Sequence, residues 1–237
     1  MPWGTLVNVA AVIAGSAAGL LLRRGLPDRL RGIIFQGIGL ATLLIGMLNA
    51  WAVTAPVPDE DHVARHLIEL IMSILLGGLI GEGLNLEKRL EAAGDWLKAR
   101  VRSRDSRFTE GLVTAFLIYF IGPMTLMGAL DEGIRHDANI LYAKSVLDGF
   151  MSIALASTYG VGVAFSILPL FIFQFAITLL GGLLGSVLSA VVVNQLTAIG
   201  GLLILGLGLN LLEVTKLRIA NLLPALVVVV VLALLFG

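Results

Sequence analysis

Eight apolar segments divide this chain of 237 residues, at 5–22, 33–53, 66–83, 111–130, 139–157, 162–188, 196–212 and 219–236. Each approaches the roughly 20 residues that a helix needs to cross the hydrocarbon of a bilayer. Water is absent there, so backbone N–H and C=O groups must bond within the segment, and a helix achieves this. Composition agrees: 58% of residues are hydrophobic and 14% charged, against about 25% charged in a soluble domain. The expected fold is all-α, a polytopic transmembrane helix bundle of about eight passes, with 1–237 as a single integral membrane domain. The sixth segment is too long for one upright helix and contains Pro169, so the pattern fits seven to nine passes. The 28 glycines suit close helix packing in lipid and allow a homodimer.

Loop charge sets an expected orientation. "RRGLPDRLR" after the first segment is basic, "PVPDEDHVAR" after the second is acidic, and "DEGIRHD" after the fourth is mostly acidic. The positive-inside rule then places the N-terminus outside and the basic loops in the cytoplasm. The longest basic loop, 84–108, carries Lys88, Arg89, Lys98, Arg100, Arg102, Arg104 and Arg107. Leu86, Leu90, Ala93, Leu97 and Val101 fall at helical spacing among them. This amphipathic cytoplasmic loop reads as an interfacial helix with Trp96 at headgroup level, or as a docking site for a regulator or anionic lipid.

Two short patterns recur. "LLGGLIGE" at 75–82 resembles "LLGGLLGS" at 179–186, and "IG" then "LN" occur at 38–39 and 48–49 and again at 199–200 and 209–210. In the expected topology the members of each pair run in opposite directions, as an inverted repeat requires. Gly/Leu-rich helices also match for packing reasons alone.

The polar residues inside apolar segments carry the functional reading. Gly122-Pro123 interrupts the fourth segment. Proline lacks an N–H and displaces the carbonyl four residues earlier, so the freed groups need partners, and Gly122, Pro123 and Thr125 are candidate substrate or ion ligands at the break. Broken helices bind substrates or ions in many transporters, and simple packing kinks are also common. In the fifth segment Lys144 and Asp148 are four apart, so they share a helix face, and Ser145 borders it. Asp148 lies roughly 13 Å below Asn139 at 1.5 Å per residue, too deep for a short carboxylate to reach water. A charge there costs at least about 2.5–3.5 kcal/mol. Kept in a membrane, such a pair marks an ion or substrate path or bridges helices structurally. Asp131, Glu132 and Asp137 form an expected acidic outer mouth, and Gln174 and Asn210 are further candidate ligands.

No catalytic or cofactor role is expected. The chain has no GxSxG, HExxH or Walker sequence and no cysteine, so nucleophilic, thiolate and P-loop chemistry lack their residues. His62 and His66, with Asp59 or Asp61, are spaced for a metal, but a solvated loop explains them. No metal or nucleic-acid partner is expected; the partners are the lipid bilayer and a small solute or ion.

Blocks along the whole chain resemble a known family: "GTLVNVAAVIAGSAAGLLL" with "LPDRLR", then "GGLIGEGLNLEKRL", "GPMTLMGALDEG", "AKSVLDGF", "GVGVAFSILPLFIFQ" and "NLLPAL". They are similar to the YqgA-like bacterial inner-membrane proteins, the domain of unknown function 554 family. The resemblance implies a multi-pass protein of the bacterial cytoplasmic membrane and supplies no substrate. The residues themselves favour a secondary transporter of a small solute or ion, using Asp148, Lys144 and the broken helix. The alternatives are an ion channel, or a non-transporting scaffold or sensor acting through 84–108.

Overall fold

A computed structural model describes residues 2–23, 27–54, 63–120, 123–184 and 189–236. Twelve α-helices occur among them: α1 (Trp3–Arg23), α2 (Asp28–Ala50), α3 (Val63–Leu84), α4 (Leu86–Arg100), α5 (Phe108–Phe120), α6 (Pro123–Arg135), α7 (Asn139–Tyr159), α8 (Gly162–Phe165), α9 (Ile167–Leu184), α10 (Ala190–Leu211), α11 (Ile219–Leu222) and α12 (Ala225–Phe236). The described residues contain no strand. Among the described residues six helical spans are long and apolar enough to cross a membrane, or seven where the bent pair α5–α6 counts as one span. The eighth expected segment is a shorter apolar helix, divided into α11 and α12 around Pro224. The sixth remains one span, broken at Ser166. Pro169 cannot donate to the carbonyl of Phe165, where α8 ends.

Side-chain polarity explains why these helices assemble. On α1 the buried residues are Gly4, Thr5, Asn8, Val12, Gly15, Ser16 and Gly19, while Leu6, Val7, Ile13, Leu21 and Leu22 are exposed. On α7, Lys144, Ser145, Asp148 and Ser152 are buried, whereas Val146, Leu147 and Phe150 are exposed. Small and polar residues face inward and large apolar ones outward, the arrangement suited to a lipid solvent.

The chain divides into two compact units whose segments alternate in sequence: 1–38, 90–120 and 124–185 form the first, and 39–89, 121–123 and 186–237 the second. In the first unit, α1 and α7 pack side by side in parallel. A Cβ at Gly15 would lie 2.2 Å from Gly149 O, and one at Gly19 would lie 2.3 Å from Ile153 O. Helix α6 reaches α9 through Gly133, whose Cβ would meet Thr178 O at 2.2 Å. In the second unit, α2 and α10 run antiparallel through Gly39, Gly46, Gly201 and Gly208. The two "IG…LN" stretches are therefore packing partners from Gly39 onward, and close contact accounts for Gly39, Gly46, Gly201 and Gly208 within them. The last residues of "LLGGLLGS" lie outside the described residues.

Polar clasps hold the loops. In the second unit Asn221 Oδ1 accepts from Glu87 N (2.7 Å), Glu87 Oε2 accepts from Ala220 N (2.9 Å), and Asn221 Nδ2 donates to Glu82 Oε2 (2.7 Å). The starts of α4 and α11 thus supply N–H groups that each other's side chains satisfy. In the first unit Arg23 Nη1 donates to Asp105 Oδ2 at 2.5 Å, and the Asp105 carboxylate also accepts from the N–H groups of Arg107 and Val161. Burial opposes ionisation of Asp105, but the Arg23 hydrogen bond and the two N–H groups outweigh it, so its carboxyl lies below the usual 3.8. Gly160, at φ +88°, lets this clasp close, since a Cβ there would overlap Arg23 and Asp105.

Gly15→Ala destabilises the detergent-solubilised protein by about 1–3 kcal/mol through overpacking. Gly37→Ala, with nothing within 4 Å of the added Cβ, leaves the melting temperature unchanged or raises it. The Asp105 contribution is full above its unfolded pKa and fades as pH falls through the lower folded value. Wild type therefore loses melting temperature below about pH 4, and Asp105→Asn, already weaker at pH 7, shows a flatter acid limb.

Candidate functional site

The first unit concentrates buried polar groups halfway along α7. Lys144 and Asp148 are 5% and 7% exposed, and Lys144 Nζ donates to Asp148 Oδ2 across one helical turn. Asn8 of α1 donates through Nδ2 both to Asp148 Oδ2 (3.1 Å) and to Gln174 Oε1 of α9 (3.1 Å). Both N–H bonds of that amide are used, so its orientation is fixed, and so is that of Gln174. Asn8 Oδ1 and Gln174 Nε2 remain without hydrogen-bond partners, although both residues are fully buried. Such orphaned atoms normally cost about 1–3 kcal/mol each.

The broken helix meets this cluster. Helices α5 and α6 meet at 59°. Pro123 has no N–H for the carbonyl of Tyr119, four residues earlier, and Thr125 Oγ1 donates to that oxygen instead (2.7 Å). The Tyr119 hydroxyl lies 2.7 Å from Ser152 Oγ. Ser152 gives its own proton to Asp148 O (2.6 Å), so Tyr119 is the donor. Lys144 Nζ sits 5.8 Å from the centroid of the Tyr119 ring, within cation–π range. The break thus sets the tyrosine against the ion pair.

The remaining sequence candidates have other places. Ser145 Oγ returns to Leu141 O (2.6 Å) on its own helix. Glu132 is buried and accepts from Gly4 N, Thr5 N and Thr5 Oγ1, capping the positive end of α1. Asp131 pairs with Arg135 (3.7 Å), and Asp137 accepts from Asn139 N (2.9 Å) at the start of α7. Two carboxylates of the expected acidic mouth, Glu132 and Asp137, line a cavity of about 370 Å³ with Trp3, His136, Asn139 and Tyr142. This cavity lies at the end of α7, about 7.5 Å in rise from Lys144. Asn210 belongs to the second unit, where both amide atoms bond Leu217 at 2.7 Å and close a turn. It does not join this cluster. Gly122 lies outside the described residues, as do Asp59, Asp61 and His62. Among the described residues no cluster of three or more His, Cys, Asp or Glu side chains is arranged for a metal.

Sequence reasoning missed Asn8, Tyr119 and Ser152. Asn8 carried a usable signal, an amide in the middle of "GTLVNVAAVIAG", since a polar residue at that depth needs a partner.

Apolar helices of spanning length, polar residues turned inward and a buried ion pair define a multi-pass helical membrane protein. The chain belongs to the family described as "Protein of unknown function (DUF554)", which it matches over residues 3–234. It is 35% identical over 226 residues to the uncharacterized membrane protein YdfK of Bacillus subtilis (strain 168), covering 95% of this chain and 93% of that one. It is 31% identical over 230 residues to the uncharacterized protein YqgA of Escherichia coli (strain K12), covering 94% and 92%. No solved structure matches.

Removing Lys144 alone strands a buried carboxylate, so Lys144→Met destabilises by about 3–5 kcal/mol. Thermal unfolding in detergent checks this, and the double variant K144M/D148N, which removes both charges, recovers most of the loss.

Proposed function

We propose that this chain is a secondary transporter of a small solute or ion, with Asp148 and Lys144 as its charged centre. The observation that carries the reading is a mid-helix ion pair, enclosed by protein, whose neighbours Asn8 and Gln174 keep unused hydrogen-bonding atoms. Apolar packing stabilises a bundle at least as well as a buried pair, and intramembrane charges mark ion or substrate paths.

In this reading a cation exchanges on Asp148, and Lys144 is the internal counter-ion while the site is empty. The orphaned Asn8 oxygen and Gln174 nitrogen become ligands or hold bound water. The cavity beside Glu132, His136 and Asp137 is the outer vestibule, whose negative charge raises the local cation concentration. The membrane is the bacterial cytoplasmic one, with the N-terminus outside and 84–108 inside; the alternation of basic and acidic loops supports this. The sequence repeats are weaker support for inverted symmetry, because Gly39, Gly46, Gly201 and Gly208 of one pair also serve close helix contacts.

Proteoliposomes test the reading. Wild type dissipates an imposed Na⁺ or proton gradient with saturable kinetics, and Asp148→Asn, purified folded and monodisperse, reduces that flux to background. Full flux in both D148N and K144M/D148N sinks the proposed site. A phenotype lost on deleting 84–108 but kept in K144M/D148N points to the scaffold instead.

A further inference from the structure

The second unit contains a constellation built like the first. On α7 a base, a carboxylate and a serine stand four apart: Lys144, Asp148 and Ser152. On α3 the same spacing recurs as Arg65, Glu69 and Ser73. The flanking sequences align without a gap, "AKSVLDGFMSI" at 143–153 and "ARHLIELIMSI" at 64–74. Neither stretch belongs to the Gly/Leu patterns already described.

The bonding repeats as well. Arg65 Nε pairs with Glu69 Oε1 at 3.0 Å, as Lys144 pairs with Asp148. Ser73 Oγ donates to Glu69 O at 2.6 Å, as Ser152 Oγ does to Asp148 O at 2.6 Å. A side-chain amide from a neighbouring helix holds each carboxylate. Gln195, the sixth residue of α10, donates to Glu69 Oε2 at 2.9 Å; Asn8, the sixth residue of α1, donates to Asp148. Each amide nitrogen has a second acceptor, His66 O for Gln195 and Gln174 Oε1 for Asn8. Each amide oxygen is then left buried without a partner. The nitrogen of Gln195 faces a carboxylate and a carbonyl, so the leftover atom must be the oxygen.

We infer that Glu69 and Gln195 form a second cation site, of the same design as the one at Asp148. The inference rests on the reading of Asp148 as a ligand-bearing carboxylate. The shared unmet need is an acceptor beside a carboxylate, which a positive ligand satisfies and an anion does not. One carboxylate with amide oxygen suits a monovalent ion, since divalent sites recruit more charged ligands. Glu69 and Gln195 are 5% and 1% exposed, whereas the Arg65 side chain is 35% exposed. An arriving cation thus displaces the arginine toward the surface while the carboxylate stays enclosed.

Equilibrium binding of radiolabelled Na⁺ to the purified full-length protein, in a sodium-free N-methyl-D-glucamine buffer, tests this. Wild type binds two ions per chain. Glu69→Gln and Asp148→Asn each bind one, and the double variant binds none. Gln195→Leu, which keeps both carboxylates, weakens one of the two sites at least tenfold and serves where Glu69→Gln does not fold. One ion per chain, lost in Asp148→Asn and unchanged in Glu69→Gln and Gln195→Leu, overturns the second site and leaves the Asp148 reading standing. One ion lost in Glu69→Gln but kept in Asp148→Asn supports the second site and sinks the Asp148 reading. No Na⁺ bound by wild type overturns the inference.

Discussion

A polar atom without a partner in hydrocarbon has no water to fall back on, and the fold follows from that penalty. It makes the apolar segments helical and then decides which face of each helix turns inward. On α1 and α7 the inward faces carry Asn8, Ser16, Lys144, Asp148 and Ser152, with glycines between them. Those glycines have a positive task as well as a permissive one. Gly15 and Gly149 bring the two backbones close enough for Asn8 to reach Asp148. Dispersion at close range and hydrogen bonding at fixed geometry therefore support each other here.

The same accounting changes the meaning of the broken helix. A proline in a membrane span frees a carbonyl, and a freed carbonyl invites a ligand. Here the carbonyl belongs to Tyr119 and the Thr125 hydroxyl has already taken it. The break supplies orientation: it ends α5 where the Tyr119 hydroxyl meets Ser152 and the ring meets Lys144. Among the described residues, unused buried amide atoms lie on Asn8, Gln174 and Gln195, beside unpartnered hydroxyls of Ser16, Thr42 and Thr178, all side chains of helices that are not broken at those points.

Much of this was legible in the sequence. Long apolar runs gave the helical membrane fold, because period and length are local properties. Pro169 pointed to the break in the sixth segment, and the Lys144–Asp148 pair was readable from a spacing of four on one helix. What could not be read were partners on other helices. Asn8 and Asp148 are 140 positions apart, and nothing local to either names the other. Glu132 shows the converse: grouped with Asp131 and Asp137 by proximity in sequence, it shares a cavity with Asp137 but spends its carboxylate on the start of α1, while Asp131 pairs with Arg135. Asn210 likewise looked like a ligand on an apolar helix and instead closes the turn to Leu217.

The two carboxylate constellations differ in one respect that bears on how each opens. Arginine stays charged at any physiological pH, so the Arg65 bridge can only be exchanged as an intact cation. Its side chain is 35% exposed and so has room to move outward. Lys144, with a side chain only 6% exposed, has no such exit. In the transporter reading, a cation that replaces Lys144 on Asp148 leaves an ammonium enclosed by protein, and that charge needs another acceptor in a medium of low dielectric. The unused Asn8 oxygen belongs to the amide that already bonds Asp148. Cation entry at Asp148 would therefore demand a rearrangement inside the first unit, whereas entry at Glu69 moves a side chain that already reaches the surface.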